Sequence, residues 1–115
     1  DNVGFAKETD FPNNITVGHD LIGTGDLVVE VSVAKAQAIM VSCNSTDDNA
    51  FSVSATWLDD SSNIFMEQSA TDIDMSSVTQ DYSRLTRKAP RVEITVTDES
   101  GGTSNNVNLF IDTHR

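Results

Sequence analysis

Phe51-Ser52-Val53-Ser54-Ala55-Thr56-Trp57-Leu58 decides the fold. Phe51, Val53, Ala55 and Trp57 are apolar, and the residues between them are small and carry hydroxyls. A period of two puts the apolar set on one face of a strand and the hydroxyls on the other. Trp57 is in phase with the other apolar residues and is therefore assigned to the core. After it, Asp59-Asp60-Ser61-Ser62 turns the chain, and Asn63-Ile64-Phe65-Met66-Glu67 reads as a hairpin partner.

The same signal recurs on both sides. Upstream, Val29, Val31 and Val33 alternate with Glu30 and Ser32. Ala36 to Cys43 follows with a fully apolar middle and ends in the polar turn Asn44-Ser45-Thr46-Asp47-Asp48-Asn49. The Ala-rich segment from Ala34 to Ile39 could be read as a short helix, but its length and β-branched flanks argue against that. Downstream, Val92, Ile94 and Val96 alternate with Glu93, Thr95 and Thr97, and a turn rich in Gly and small polar residues covers 98–104. The return strand carries Val107, Leu109 and Ile111 on one face and Asn108, Phe110 and Asp112 on the other. Phe110 thus projects from a nominally polar face. Residues 69–80 read as polar and irregular, anchored by Ile73, Met75 and Val78.

Residues 1–20 read as an N-terminal arm or first strand, with Phe5 and Phe11 as apolar anchors and Asn14-Ile15-Thr16-Val17 as a short strand. Residues 21–115 form the domain proper. No window carries a convincing helical stripe, and turn signals recur throughout. The expectation is a single all-β domain, an antiparallel β-sandwich of jelly-roll or Ig-like type with about seven or eight short strands.

Composition narrows the chemistry. The chain has 115 residues, 18 acidic against seven basic, and a net charge of −11. Such a surface cannot supply the clustered Lys and Arg that phosphate binding needs, so nucleic acid is not an expected partner. The one basic cluster is Arg84, Arg87, Lys88 and Arg91. It is expected to pair with the chain's own carboxylates or with a neighbouring acidic subunit. Asp outnumbers Glu by 13 to 5, Lys occurs three times, and Ser, Thr and Asn together number 34. That balance suits a salt-rich setting, where carboxylate repulsion is screened. An ordinary acidic, solubilising surface is the alternative. Cys43 is the single cysteine and excludes an intrachain disulfide; it reads as a buried, inert thiol. No apolar stretch is long enough for a helical membrane span.

Catalytic motifs are missing. There is no G-x-S-x-G and no H-E-x-x-H, and His19 and His114 stand in a Gly-flanked loop and next to the C-terminal residue. No catalytic residue, no cofactor and no enzymatic activity is expected. Asp72-Ile73-Asp74-Met75-Ser76 matches the opening of a calcium loop, but Ser77 replaces the turn glycine and Ser83 the bidentate Glu. Asp72 and Asp74 therefore remain only candidate ligands for a loop cation such as Ca2+. Asn14-Ile15-Thr16 and Asn44-Ser45-Thr46 are glycosylation sequons, which mark surface positions if the protein is secreted.

The strand from Phe51 to Ser62 and the hairpin from Ala89 to Asp112 together resemble small β-sandwich proteins of the capsids, turrets and spikes of viruses of halophilic archaea, or of marine phages. The resemblance covers residues 26–113 and lies in style rather than in a motif. It implies a non-enzymatic structural role at a virion surface, outside the cell. It also implies homo-oligomer formation and docking on other virion proteins such as the major capsid protein. The interface candidates are Phe5, Phe11, Phe110, Arg84, Arg87, Lys88 and Arg91. The alternative expectation is a carbohydrate- or cell-surface-binding module that takes a host-surface glycan, with Trp57 and Tyr82 as stacking platform.

Overall fold

The structure, a computed structural model, describes residues 5–7, 14–33 and 36–114. Nine strands occur among them: β1 (Phe5–Lys7), β2 (Asn14–Asp20), β3 (Leu27–Ser32), β4 (Ala38–Ser45), β5 (Phe51–Leu58), β6 (Ile64–Gln68), β7 (Gln80–Thr86), β8 (Arg91–Asp98) and β9 (Asn106–His114). One sheet has the order β1-β3-β8-β5-β6 and the other β2-β9-β4-β7. Only the three-residue β1 runs parallel to its neighbour.

Four of the pairings are nested: β2 with β9, β3 with β8, β4 with β7, and β5 with β6. The chain is thus one long antiparallel hairpin with β5–β6 at its tip. Rolling that hairpin up adds the pairs β4–β9 and β5–β8. This is a jelly roll. Of the two sandwich types expected, the strand order selects this one.

The alternation read in the sequence points inward as expected. Phe51, Val53, Ala55 and Trp57 of β5 and Val92, Ile94 and Val96 of β8 are buried, and across the sandwich so are Ile39, Val41 and Cys43 of β4 and Val107, Leu109 and Ile111 of β9. Burial pushes the Cys43 thiol up to about 12, so it stays protonated and unreactive. The indole of Trp57 is fully buried, and its Nε1 donates to Gln68 Oε1 at 2.7 Å.

The irregular segment after β6 has two jobs. It inserts Ile73 and Met75 into the core. It also pairs with the part of β5 that β6 leaves open, through Val53 N to Met75 O (3.0 Å) and a bridge between Phe51 and Val78.

Glu30 departs from the simple reading. Its place in the alternation is outward, yet it is buried. It forms an ion pair with Arg91, its diagonal neighbour on β8. Arg91 therefore belongs to the five-stranded sheet.

Candidate recognition face

The outer face of the four-stranded sheet gathers side chains from every strand. In β4, β7 and β9 the residues facing away from the core are Met40, Ser42 and Asn44, then Gln80, Tyr82 and Arg84, then Asn108, Phe110 and Asp112. Register aligns them in rows across the strands. Thr16, Phe110, Ser42 and Tyr82 form the central row. Gly18, Asn108, Asn44 and Gln80 form the row on one side, and Asp112, Met40 and Arg84 lie on the other.

Two aromatic rings therefore share a row with only a serine between them. Tyr82 is 69% exposed and Phe110 is 37% exposed. Two strand spacings of about 4.8 Å put their backbones roughly 9.6 Å apart. Carboxamides border the rings on one side, and a cation and a carboxylate border them on the other. The amide row leads into a depression of about 430 Å³ beside Gly18, Asn106 and Asn108. Gly18 helps to open it, because a Cβ there would stand 3.3 Å from Asn108 Oδ1.

The loops beside this face are held by Asn105, which is fully buried. Its Oδ1 accepts from Ser45 Oγ at 2.7 Å, and its Nδ2 donates to Ala50 O (2.9 Å) and Asp98 Oδ1 (2.8 Å). Its backbone N–H donates to Asp20 Oδ1 at 3.0 Å. One residue thus ties together the ends of β2, β4, β5 and β8, its side chain reaching the last three and its backbone N–H the first.

The carboxylates with lowered pKa values are turn acceptors. Backbone N–H groups hold Asp20 and Asp59 below the usual range, with Asn105 and Asn63 the leading donors. Burial raises the Asp98 carboxyl, but donors from Ser100, Asn105 and Gly101 outweigh that and bring it to about 2. The folded value lies below the unfolded one of about 3.9, so the unfolded chain binds more protons in acid. Stability from Asp98 is complete above about pH 4 and fades as the pH falls towards 2. Asp98→Asn should flatten the acid limb of a stability-versus-pH curve, measured in salt so that loss of carboxylate repulsion does not mask it. An unchanged acid limb would refute this role.

The other candidate residues fall in several places. Phe110 and Arg84 share the outer face. Arg87 and Lys88 are exposed in the loop between β7 and β8. Arg91 is occupied by Glu30 and by Ser62 Oγ. Phe5 stands in β1 opposite Val28, and Phe11 lies outside the described residues. Asp72 Oδ2 accepts from Ser69 N, and Asp74 has a φ of 61° in the same turn. No group of three or more His, Cys, Asp or Glu side chains converges among the described residues. The Trp57–Tyr82 platform does not form, because Trp57 packs between the sheets and Tyr82 points out of the sandwich. Phe110 stands beside Tyr82 instead. The expected outward phase of Phe110 was the signal for it, but register across β4 supplies the pairing.

No family model matches the chain, and no curated protein matches it. Solved structures do share its fold. The pre-peptidase C-terminal domain of collagenase from Bacillus anthracis superposes with a TM-score of 0.66 at 15% identity, covering 94% of this chain and 94% of that chain. CorA, a surface-associated copper-binding protein of Methylomicrobium album BG8, gives 0.61 at 6% identity over 96% of this chain and 98% of its own. The Yersinia pseudotuberculosis-derived mitogen gives 0.60 at 11% identity over 90% and 88%. Likeness at these identities shows the β-sandwich fold alone.

Proposed function

We propose that this domain is a non-catalytic recognition module that binds a carbohydrate chain on the outer face of its four-stranded sheet. The observation that carries the reading is the row Phe110–Ser42–Tyr82. Exposed aromatic rings are costly in water and useful where a ligand offers an apolar face. A sugar ring does so through its C–H groups, while its hydroxyls seek neutral donors and acceptors. Asn44, Asn108 and Gln80 supply those beside the rings. The small Ser42 lets a ligand lie flat across the strands.

The spacing suits an extended polysaccharide in which alternate sugar rings face the protein. The net charge of −11 favours a neutral or basic glycan over an acidic one. The lowered carboxylates support the non-catalytic reading, since they are committed to turn N–H groups. Jelly rolls serve both lectins and viral capsids, so the fold itself does not choose.

Affinity electrophoresis and calorimetry with soluble β-1,4-glucan, β-1,3-glucan and chitin oligosaccharides test the reading. At least one probe should bind. Tyr82→Ala and Phe110→Ala should each weaken that binding roughly tenfold or more while leaving the melting temperature nearly unchanged. Refusal of all three probes, or variants that bind as well as the parent, would sink it.

A second reading, a virion-surface subunit, draws on β6. Ile64 and Phe65 are adjacent on this edge strand and are 62% and 63% exposed. An apolar edge is a natural place to dock a neighbouring capsid protein. Retention by purified virions but by no glycan would favour this reading.

A further inference from the structure

All the strands run between two ends of the sandwich, and the ends differ in charge: one is uniformly acidic, and the other mixes cations with carboxylates. At one end lie the loops 21–26, 46–50, 69–79 and 99–105. They and the adjoining strand ends carry Asp20, Asp26, Asp47, Asp48, Asp98 and Glu99, and the turn after β6 adds Asp72 and Asp74. None of these loops contains a Lys or Arg. The described cations sit towards the other end, which they share with Asp59 and Asp60 of the loop 59–63 and with Asp112 near the end of β9. Arg84 stands near the end of β7, and Arg87 and Lys88 follow in the loop to β8. Arg87 and Lys88 flank a depression of about 340 Å³ whose wall also includes Gln37 and Pro90. Arg91 begins β8 but is engaged by Glu30. Arg87 and Lys88 are exposed, and no ion pair to either is formed among the described residues.

We infer that copies of this chain associate end to end, with the acidic loops of one copy seated on the Arg87–Lys88 depression of the next. The partner is fixed by charge complementarity within the chain itself. A strand of nine residues spans about 30 Å. With loops at both ends, the strand direction accounts for the 39 Å long axis. The Debye length near physiological salt is about 8 Å, so each end senses only the end that faces it. At about 0.01 M salt the screening length grows to roughly 30 Å, and the whole net negative charge of each copy then repels the other. At about 1 M it shrinks to roughly 3 Å, and the end-to-end attraction is screened as well. Association therefore peaks at intermediate salt.

The shorter dimensions, 30 and 24 Å, keep each end face small. The contact is made by exposed charges rather than by an apolar patch, so it is weak and reversible. It is also heterologous, so it builds rings or open filaments rather than two-fold dimers.

Light scattering or sedimentation of the whole protein across this salt range reads the result. The average mass should be highest near about 0.15 M and lower at both about 0.01 M and about 1 M. Two charge-reversed variants, R87E/K88E and D26K/E99K, should each associate at least tenfold more weakly than the parent. An equimolar mixture of the two should recover association, because each variant keeps or gains the end that complements the other. Recovery also shows that the variants are folded. A parent that is monomeric near about 0.15 M salt overturns the inference. So does a mass that climbs steadily up to about 1 M, which would place the contact on apolar residues such as Ile64 and Phe65. Variants that associate as well as the parent, or a mixture that fails to recover, overturn it too.

Discussion

Trp57→Ala should lower the unfolding free energy by about 3–5 kcal/mol, the cost of emptying an indole-sized space in a packed core. Trp57 is fully buried, and opposite it across β8 and β6 stand Val92 and Met66. Neither sheet can close the gap without disturbing the other. Domains of this size are stable by about 5–15 kcal/mol, so the variant would stand near the edge of folding. Denaturant titration checks the loss, and one below about 1 kcal/mol would contradict the packing described. The parent protein offers a gentler check. Its tryptophan emission should be blue-shifted, resist acrylamide, and stay unchanged when a glycan occupies the outer face. Red-shifted, quenchable emission would return Trp57 to the surface and reopen its role as a stacking platform.

Asn105→Ala should cost nearly as much, about 3–4 kcal/mol, although it removes little apolar area. The carboxamide is fully buried and satisfies Ser45 Oγ, Ala50 O and Asp98 Oδ1 together. Alanine leaves all three short of a partner, Ser45 in a buried place and Ala50 and Asp98 in half-buried ones, and one of them is a carboxylate. Ser45 Oγ still accepts from Asn49 N, and Asp98 keeps Ser100 and Gly101, so the loss stops short of the full sum. Asn108→Ala, on the exposed outer face, is the control and should stay within about 0.5 kcal/mol of the parent. Equal small losses at both positions would show that Asn105 is not the hub of these loops.

Most of the fold was legible in the chain. β3, β5, β8 and β9 each bury one face against the opposite sheet, so their sequences alternate and their inward residues could be named. The outward phase of Phe110 and the burial of Cys43 were visible for the same reason. β7 was not visible as a strand. It lies at the edge of its sheet, and Leu85 is its only buried residue. Its sequence, Gln80-Asp81-Tyr82-Ser83-Arg84-Leu85-Thr86, therefore carries no period. Glu30 misled for a different reason, because its burial depends on an arginine from a strand far along the chain.

The sequence by itself determined the all-β class, the in-or-out phase of the regular strands and the acidic excess, because each depends on neighbours along one strand or on composition alone. Only the tertiary structure decided that Phe110 and Tyr82 share a row and that four loops without a Lys or Arg gather at one end while Arg87 and Lys88 stand at the other. Both follow from register and strand direction between segments distant in sequence, and local periodicity does not encode which strand lies beside which.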